Sequence, residues 1–264
     1  MQQELSTTDF GLIGHPLGHS FSKAFFTEVF SRHKLPYSYD NFDLPELTPE
    51  ALYSLVLLNP RLRGFNVTAP YKEKIIAFLD GIAEQAERVG AVNTVVIRRA
   101  PDGRVVGLDG YNTDVEGFRD SILPLIQDVP EGCGALVLGT GGASKAAVEG
   151  LSQLNRPALR VSRSSTGEGI ISYSDITPEL LASHPIVVNA TPAGTYPNVD
   201  TCPPFPVELL NAGCRVFDMV YNPAETLLMR RAAEHGAKTK NGLEMLYRQA
   251  IASYNIWQSN QQTI

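Results

Sequence analysis

The sequence predicts an α/β protein, and three observations carry that prediction. Short apolar runs of strand length alternate with segments of helical period along the whole chain. The pattern changes character near residues 109–114, which marks a boundary between two halves. Beyond it the strand-like runs are almost continuously apolar, as in a parallel sheet covered by helices on both faces. At 264 residues the chain has room for two domains or one large one.

The elements follow in order. Residues 9–13 read as a first strand. Residues 21–32 have helical spacing, with Phe25, Phe26, Val29 and Phe30 on one side. A second strand is expected at 37–42. A helix is expected at 48–58, with Thr48 as N-cap and Pro49 at its first position, where the missing N–H costs nothing. A strand at 62–67 and a helix at 82–89 come next. Strands at 92–99 and 104–108 flank Ala100-Pro-Asp-Gly103, a hairpin turn. In the second half, helices are expected at 115–125, 145–154, 226–234 and 243–257. Strands are expected at 134–138, 158–162, 186–190 and 215–220.

Composition narrows the partners. A formal charge of −6 and a pI near 5.4 argue against nucleic acid or an anionic membrane, since both require a basic face. No apolar run reaches the ~18 residues of a membrane span. The first eight residues are polar and lack the basic flank of a signal peptide. Cys133, Cys202 and Cys214 show no metal-binding or redox spacing, which fits free thiols in a reducing cytoplasm. The histidines show no ligand spacing, so no metal is expected.

Gly139-Thr-Gly-Gly-Ala-Ser144 sits where a strand turns into a helix. The first glycine permits the tight turn, the second lets a pyrophosphate approach backbone N–H groups, and the helix N-terminus favours the anion. Gly139, Thr140, Gly141, Gly142 and Ala143 are therefore candidate dinucleotide-binding residues. Ser144 occupies the third fingerprint position, where Gly or Ala is usual. A site for NAD usually places a carboxylate ~20 residues further on to hold the ribose. Here that stretch is Val161-Ser-Arg-Ser-Ser-Thr166. It has no acid, and Ser162, Arg163 and Ser164 suit a 2′-phosphate. The plainer alternative is a polar turn with a solvated arginine.

Four strings in the first half carry chemistry. In His19-Ser-Phe-Ser22, Ser20 and Ser22 can donate to both oxygens of a carboxylate; Ser-x-Ser before a helix also reads as an N-cap. In Phe65-Asn-Val-Thr-Ala-Pro-Tyr-Lys72, a strand ends and turns so that Lys72 emerges at its mouth; a lone lysine there also reads as surface. Gly90-Ala-Val-Asn-Thr94 carries Asn93 at the start of the strand expected at 92–99. Gly110-Tyr-Asn-Thr-Asp-Val-Glu-Gly117 places Asp114 at a helix start, where it also reads as a cap.

Together these strings resemble the shikimate dehydrogenase family, whose motifs include Asn-Val-Thr-x-Pro-x-Lys and Asn-Thr-Asp. The resemblance continues through Asn189-Ala-Thr-Pro-Ala-Gly194, Tyr221-Asn-Pro-Ala-Glu-Thr226 and Gly242-Leu-Glu-Met-Leu-Tyr-Arg-Gln249, and covers nearly the whole chain. It implies two α/β domains with a cleft between them. Residues 1–113 with 242–264 would bind substrate, and 114–241 would form a Rossmann-like NADP-binding domain. It implies reversible reduction of 3-dehydroshikimate to shikimate with hydride from NADPH. Lys72 would act as proton donor, oriented by Asp114. Ser20 and Ser22 would hold the carboxylate. Asn66, Thr68, Asn93, Asp114, Tyr221 and Gln249 would contact the ring hydroxyls. Asn189, Thr191 and Gly242 would join the cofactor set. The protein would be a cytoplasmic monomer or homodimer acting on small molecules. Oxidation of quinate is the neighbouring alternative, and a non-catalytic NADP- or shikimate-binding sensor on the same fold is another; keeping both Lys72 and Asp114 argues against the sensor.

Two departures from the family pattern stand out. Lys23 replaces a common proline. Ser162-Arg-Ser replaces an Asn-Arg-Thr phosphate segment and is followed by Thr166-Gly-Glu-Gly169, which leaves too little room for the usual full helix.

Overall fold

A computed structural model of the chain describes residues 8–18, 21–163 and 167–261. It forms two compact units, Met1–Thr113 with Ala252–Ile264, and Asp114–Ile251.

The first unit is built on β1 (Phe10–Gly14), α1 (Phe21–Arg32), β2 (Tyr39–Asp43), α2 (Pro49–Leu58), β3 (Gly64–Val67), β4 (Gly81–Ile82), α3 (Glu84–Val89), β5 (Thr94–Arg99) and β6 (Val105–Tyr111). The strands form one six-stranded mixed sheet in the order β2-β1-β3-β5-β6-β4. β1 runs parallel to β2 and β3, while β5 runs antiparallel to β3 and β6. Local chemistry sets the helix ends. The Thr48 hydroxyl accepts from the Ala51 N–H at 3.2 Å and Pro49 opens α2, as expected. α3 stops at Gly90, whose φ of +64° lets its N–H reach back to the carbonyls of Ala86 and Glu87. One core gathers Leu52, Leu62, Phe65, Ile75, Val95 and their neighbours. An aromatic cluster joins Phe10, Phe26, Phe30, Tyr39 and Trp257, with Trp257 stacked on Phe10 at 4.5 Å and Phe26 on Tyr39 at 4.6 Å.

The second unit contains α4 (Asp114–Ile126), β7 (Ala135–Leu138), α5 (Gly142–Gln153), β8 (Ala158–Ser162), β9 (Ile170–Ser172), α6 (Pro178–Ser183), β10 (Ile186–Asn189), β11 (Arg215–Asp218), α7 (Leu227–Glu234), β12 (Lys238–Asn241) and the first part of α8 (Leu243–Gln261). Its sheet is parallel throughout, ordered β12-β11-β10-β7-β8-β9. Read from the other edge this is 3-2-1-4-5-6, the doubly wound Rossmann order. β7, β10 and β11 are buried along their whole length, which explains their uninterrupted apolar character.

Three differences from the sequence reading have physical causes. β12 reads Lys-Thr-Lys-Asn; as an edge strand it has no apolar period to show. The three-residue edge strand β9 and the six-residue α6 lie between Arg163 and Ile186, where no element was expected, because each is too short to show a period. Residues 242–251 fall with the second unit, not the first. Met245 belongs to a core with Phe118, Ile122 and Phe217, and Gly117 brings α4 onto α8; a Cβ there would lie 2.9 Å from the Met245 carbonyl. Among the described residues no helix is long and apolar enough to cross a membrane.

Candidate active site

In the first unit, strand register brings the chemical motifs to one edge of the sheet. β1 and β3 are parallel and end together, with Ile13 opposite Val67. β5 is antiparallel, so its beginning lies at the same edge, with Asn66 opposite Thr94. β6 then ends there, with Tyr111 opposite Thr94. Asn66, Thr68, Lys72, Asn93 and Thr113 all follow from these strand ends.

The loop carrying Lys72 is pinned on both sides. The Thr68 N–H donates to the Ile13 carbonyl at 2.9 Å, and the Tyr71 N–H to the Thr68 carbonyl at 2.9 Å. The Lys72 carbonyl accepts from the Val92 N–H at 2.7 Å. The Tyr71 hydroxyl donates to the Leu44 carbonyl at 2.6 Å. Thr68 and Lys72 are half-buried. Gly14 is needed here, since a Cβ would stand 2.4 Å from the Thr68 methyl.

Asn66 and Asn93 lie beneath this edge in a buried polar network. The Tyr39 hydroxyl donates to Asn66 Oδ1 at 2.9 Å. Asn66 Nδ2 faces the Asn93 carbonyl at 3.2 Å, the Thr94 hydroxyl at 3.2 Å and the Ser253 hydroxyl at 2.9 Å. Asn93 Oδ1 accepts from the Thr113 N–H at 2.8 Å, and its Nδ2 donates to the Thr113 hydroxyl at 2.9 Å. The hydroxyls of Ser253 and Thr94 are 2.7 Å apart, and those of Ser253 and Thr113 3.1 Å. Both asparagines therefore spend most of their hydrogen-bonding capacity inside the unit. Ser22 is half-buried in the first turn of α1; burial pushes the pKa of the Tyr39 phenol well above its ordinary value, with the Ser22 hydroxyl opposing the shift. Ser20 and Ser164 lie outside the described residues. Tyr39, Thr113 and Ser253 are absent from the sequence-derived set. Nothing in their spacing separates them from ordinary core and helix residues.

In the second unit, the candidate cofactor residues all follow the carboxyl ends of parallel strands. The loop after β7 holds Gly139 at φ +110°, where a Cβ would crowd the Ala190 carbonyl and the Thr191 methyl at 3.3 Å. Thr140 and Gly141 are exposed, and Gly142 and Ala143 half-buried. Gly141 caps α5 without a side-chain bond, and a Cβ built on it meets nothing within 4 Å. The open approach and the N–H groups of the first turn fit a pyrophosphate. Ser144 donates its hydroxyl to the Gly139 carbonyl at 2.7 Å, which accounts for a serine at the third fingerprint position. Ser162 ends β8 and Arg163 is exposed just beyond it. The pKa of Tyr173 is raised by burial, against the nearby positive charge of Arg163.

At the end of β10, Asn189 is fully buried. Its Oδ1 accepts from the Thr191 N–H at 3.0 Å and the Thr191 hydroxyl at 2.7 Å, so it shapes the Thr191 loop from behind. Its Nδ2 donates to Asp218 at 2.9 Å. Asp218 also accepts from the Val220 N–H at 3.0 Å and the Thr226 hydroxyl at 2.6 Å. Asp218 is a further residue that sequence reading passed over; burial pushes its pKa up, and these three donors oppose the shift. Gly242 follows β12, where a Cβ would collide with the Met219 backbone at 2.1 Å. Tyr221 is half-buried, which raises its phenol pKa. Gln249 Nε2 donates to the Leu246 carbonyl of its own helix at 2.9 Å. Asp114 opens α4 and is buried. Asp114, Tyr221 and Gln249 belong to this unit.

Residues 12–95 match the model of the shikimate dehydrogenase substrate binding domain. The shikimate dehydrogenase (NADP(+)) of Caldanaerobacter subterraneus subsp. tengcongensis is 36% identical over 97% of this chain and 94% of its own. The structure of shikimate 5-dehydrogenase from Thermus thermophilus, in complex with NADP(H) and shikimate, superposes with a TM-score of 0.79; it is 32% identical, over 95% of this chain and 93% of that one. Quinate dehydrogenase from Corynebacterium glutamicum, in complex with NAD, gives a TM-score of 0.80 at 25% identity, over 95% and 93% of the two chains. With a relative of this identity matched along nearly its whole length, the chain belongs to the shikimate dehydrogenase family.

Proposed function

We propose that this protein is an NADP-dependent shikimate dehydrogenase that interconverts 3-dehydroshikimate and shikimate. The observation that carries the reading is the edge of the first sheet, where register gathers Thr68, Lys72 and the Asn66–Asn93 network from separate strand ends. The bound dinucleotide supplies the hydride. The Lys72 ammonium gives a proton to the oxygen of the carbonyl being reduced, becomes a neutral amine, and is reprotonated from solvent. Its charge also favours the negative charge developing on that oxygen. Asp114 orients the lysine. Ser20 and Ser22 hold the substrate carboxylate, while Thr68, Tyr221, Gln249 and the asparagine network meet the ring hydroxyls.

On the cofactor side, the Gly141–Ala143 turn holds the pyrophosphate and Arg163 with its neighbouring serines meets the 2′-phosphate. Asn189, Thr191 and Gly242 shape the remainder. The end of β8 has no carboxylate to repel that phosphate. The described cysteines carry no disulfide, in keeping with a cytoplasmic protein. It would work as a monomer or homodimer on small molecules.

The test is absorbance at the nicotinamide band with purified protein, shikimate and NADP. Steady formation of the reduced cofactor is expected, and its loss when shikimate is omitted. No reduction at any shikimate concentration overturns the reading and favours a binding protein.

A further inference from the structure

In the second unit, one buried carboxylate gathers the loops that follow β10 and β11. Asn189 and Asp218 end those strands side by side, paired in register, and both are fully buried. Asn189 Oδ1 accepts from the Thr191 N–H at 3.0 Å, and a backbone N–H only donates, so the amide nitrogen must lie on the other side. That nitrogen directs its hydrogens to Asp218 Oδ1 at 2.9 Å and to the Ala193 carbonyl at 3.4 Å. The Val220 N–H donates to the same Oδ1 at 3.0 Å. On the far side, the Thr226 hydroxyl accepts from the Met229 N–H at 3.3 Å, which leaves its one hydrogen for Asp218 Oδ2 at 2.6 Å. All three partners are donors, so the side chain at 218 has to accept at both oxygens.

These bonds reach the proposed cofactor residues from behind. Through Asn189 the carboxylate holds Thr191 and Ala193. Through Val220, whose carbonyl accepts from the Gly242 N–H at 3.1 Å, it holds Gly242 and the chain that enters Tyr221. Their place along the sheet indicates what they meet. The glycine turn follows β7 and Arg163 follows β8, while β10 and β11 lie on the opposite side of β7. A dinucleotide crosses a doubly wound sheet from one half to the other where the strand order reverses. With its adenosine end over β8, its nicotinamide end falls over β10 and β11.

We infer that Asp218 is the positioning residue of the nicotinamide end of the cofactor site, one carboxylate that sets the Thr191 loop and the Val220–Tyr221 loop relative to each other. The inference rests on the function proposed above. Asp218 is itself shut away from the ligand and acts through Asn189 and Val220.

The experiment compares the parent with Asp218→Ala and Asp218→Asn by steady-state kinetics with shikimate and NADP. It also measures binding of adenosine 2′,5′-bisphosphate, which carries the adenosine end of NADP and lacks the nicotinamide. Asp218→Ala should lower kcat/KM for NADP about tenfold to a hundredfold, the scale of one hydrogen bond to a charged group, and leave the Kd of the bisphosphate within about twofold. Asp218→Asn keeps an acceptor oxygen for the Asn189 and Val220 donors, and should restore kcat/KM for NADP to within about threefold of the parent. An unchanged kcat/KM in Asp218→Ala overturns the inference. So does equal weakening of NADP and the bisphosphate, which makes Asp218 a support of the fold alone, or an asparagine variant no better than alanine. If Asp218→Ala fails to fold, hydrogen exchange on the parent decides. NADP should slow exchange in residues 190–195 and 219–223 together, and the bisphosphate in neither. Protection of one segment without the other, or of both by the bisphosphate, overturns the inference. Failure of the proposed function is distinct from these results, because the parent protein would then show no shikimate oxidation.

Discussion

Replacing Lys72 by methionine keeps an unbranched side chain only one atom shorter and removes the charge and proton. The loop that carries it is held by backbone bonds to Ile13, Thr68 and Val92, so the change leaves the loop in place. kcat should fall about 10²-fold or more, the scale of general acid–base catalysis, while KM for shikimate changes far less. Initial rates over a range of shikimate concentrations check this, and a variant with near-parental kcat removes Lys72 from the chemistry. Arg163 makes a different prediction. It is exposed at the end of β8, so a charged bond to the 2′-phosphate is worth the low end of its usual range. Arg163→Ala should lower kcat/KM for NADPH by about tenfold, or ~1.5 kcal/mol, and leave the value for NADH nearly unchanged. Parallel assays with both cofactors read the ratio. Other single residues show where local reasoning stops. Asn66 and Asn93 were visible as candidates from their motifs. That their side chains are turned inward upon Tyr39, Thr113 and Ser253 is set by partners far away in the chain.

At the scale of elements, Trp257 is the largest buried side chain that the last turns of α8 place in the first unit. Trp257 is buried, stacks on Phe10, and donates its indole N–H to the Val95 carbonyl at 3.0 Å. Gly64 makes room for it, since a Cβ there would stand 2.5 Å from the indole nitrogen. Trp257→Ala should cost about 3–5 kcal/mol and lower the denaturant midpoint. Because Ser253 lies one turn earlier on the same helix, the KM for shikimate should rise as well. Chemical denaturation and kinetics on the same preparation test both outcomes. In the second unit, Asp128 follows α4 and accepts from Arg215 Nη2 and Lys238 Nζ, each at 2.7 Å. The Arg215 bond first, and then that of Lys238, hold its carboxyl well below the ordinary carboxylate range. A depressed pKa in the folded state adds stability above the unfolded value, near ~3.9 for an aspartate, and loses it as pH falls towards the folded value. Asp128→Asn should therefore melt lower than the parent at neutral pH, with the gap closing below about pH 4. Melting curves from pH 7 to pH 3 measure this, and a gap independent of pH sinks the ion-pair account. α5 shows how a boundary escapes local reading. Its expected start at residue 145 moves to Gly142, because the extended Gly141 is the cap.

The whole molecule has a fold shared with proteins of two substrate preferences. The Thermus thermophilus structure carries shikimate and NADP(H), and the quinate dehydrogenase of Corynebacterium glutamicum superposes equally well. Substrate choice thus cannot lie in the architecture. Quinate has one more hydroxyl, on the carbon that bears the carboxylate, the group that the proposed function assigns to Ser20 and Ser22. A buried hydroxyl without a partner costs ~1–3 kcal/mol, so shikimate should be preferred about tenfold to a hundredfold in kcat/KM. Side-by-side oxidation of both acids with NADP decides, and comparable turnover of quinate would leave the fold and reaction type standing while changing the substrate.

The α/β class, the glycine turn after β7 and most of the apolar strands were legible in the sequence. Each is a property of contiguous residues. An apolar run is a buried strand, a threonine before a proline is a helix start, and a glycine pair after a strand is a tight turn. The tertiary structure alone decided the rest. The edge strand β12 has no burial pattern to betray it, and α8 passes from one unit to the other because Met245 and Trp257 enter different cores. Asn66 meets Ser253 across 187 positions of chain. Such a bond depends on strand register and helix docking, which no local preference encodes. The direction of the Tyr39–Asn66 hydrogen bond exists only once both side chains are in contact, because a hydroxyl has one hydrogen and its neighbours determine where it goes.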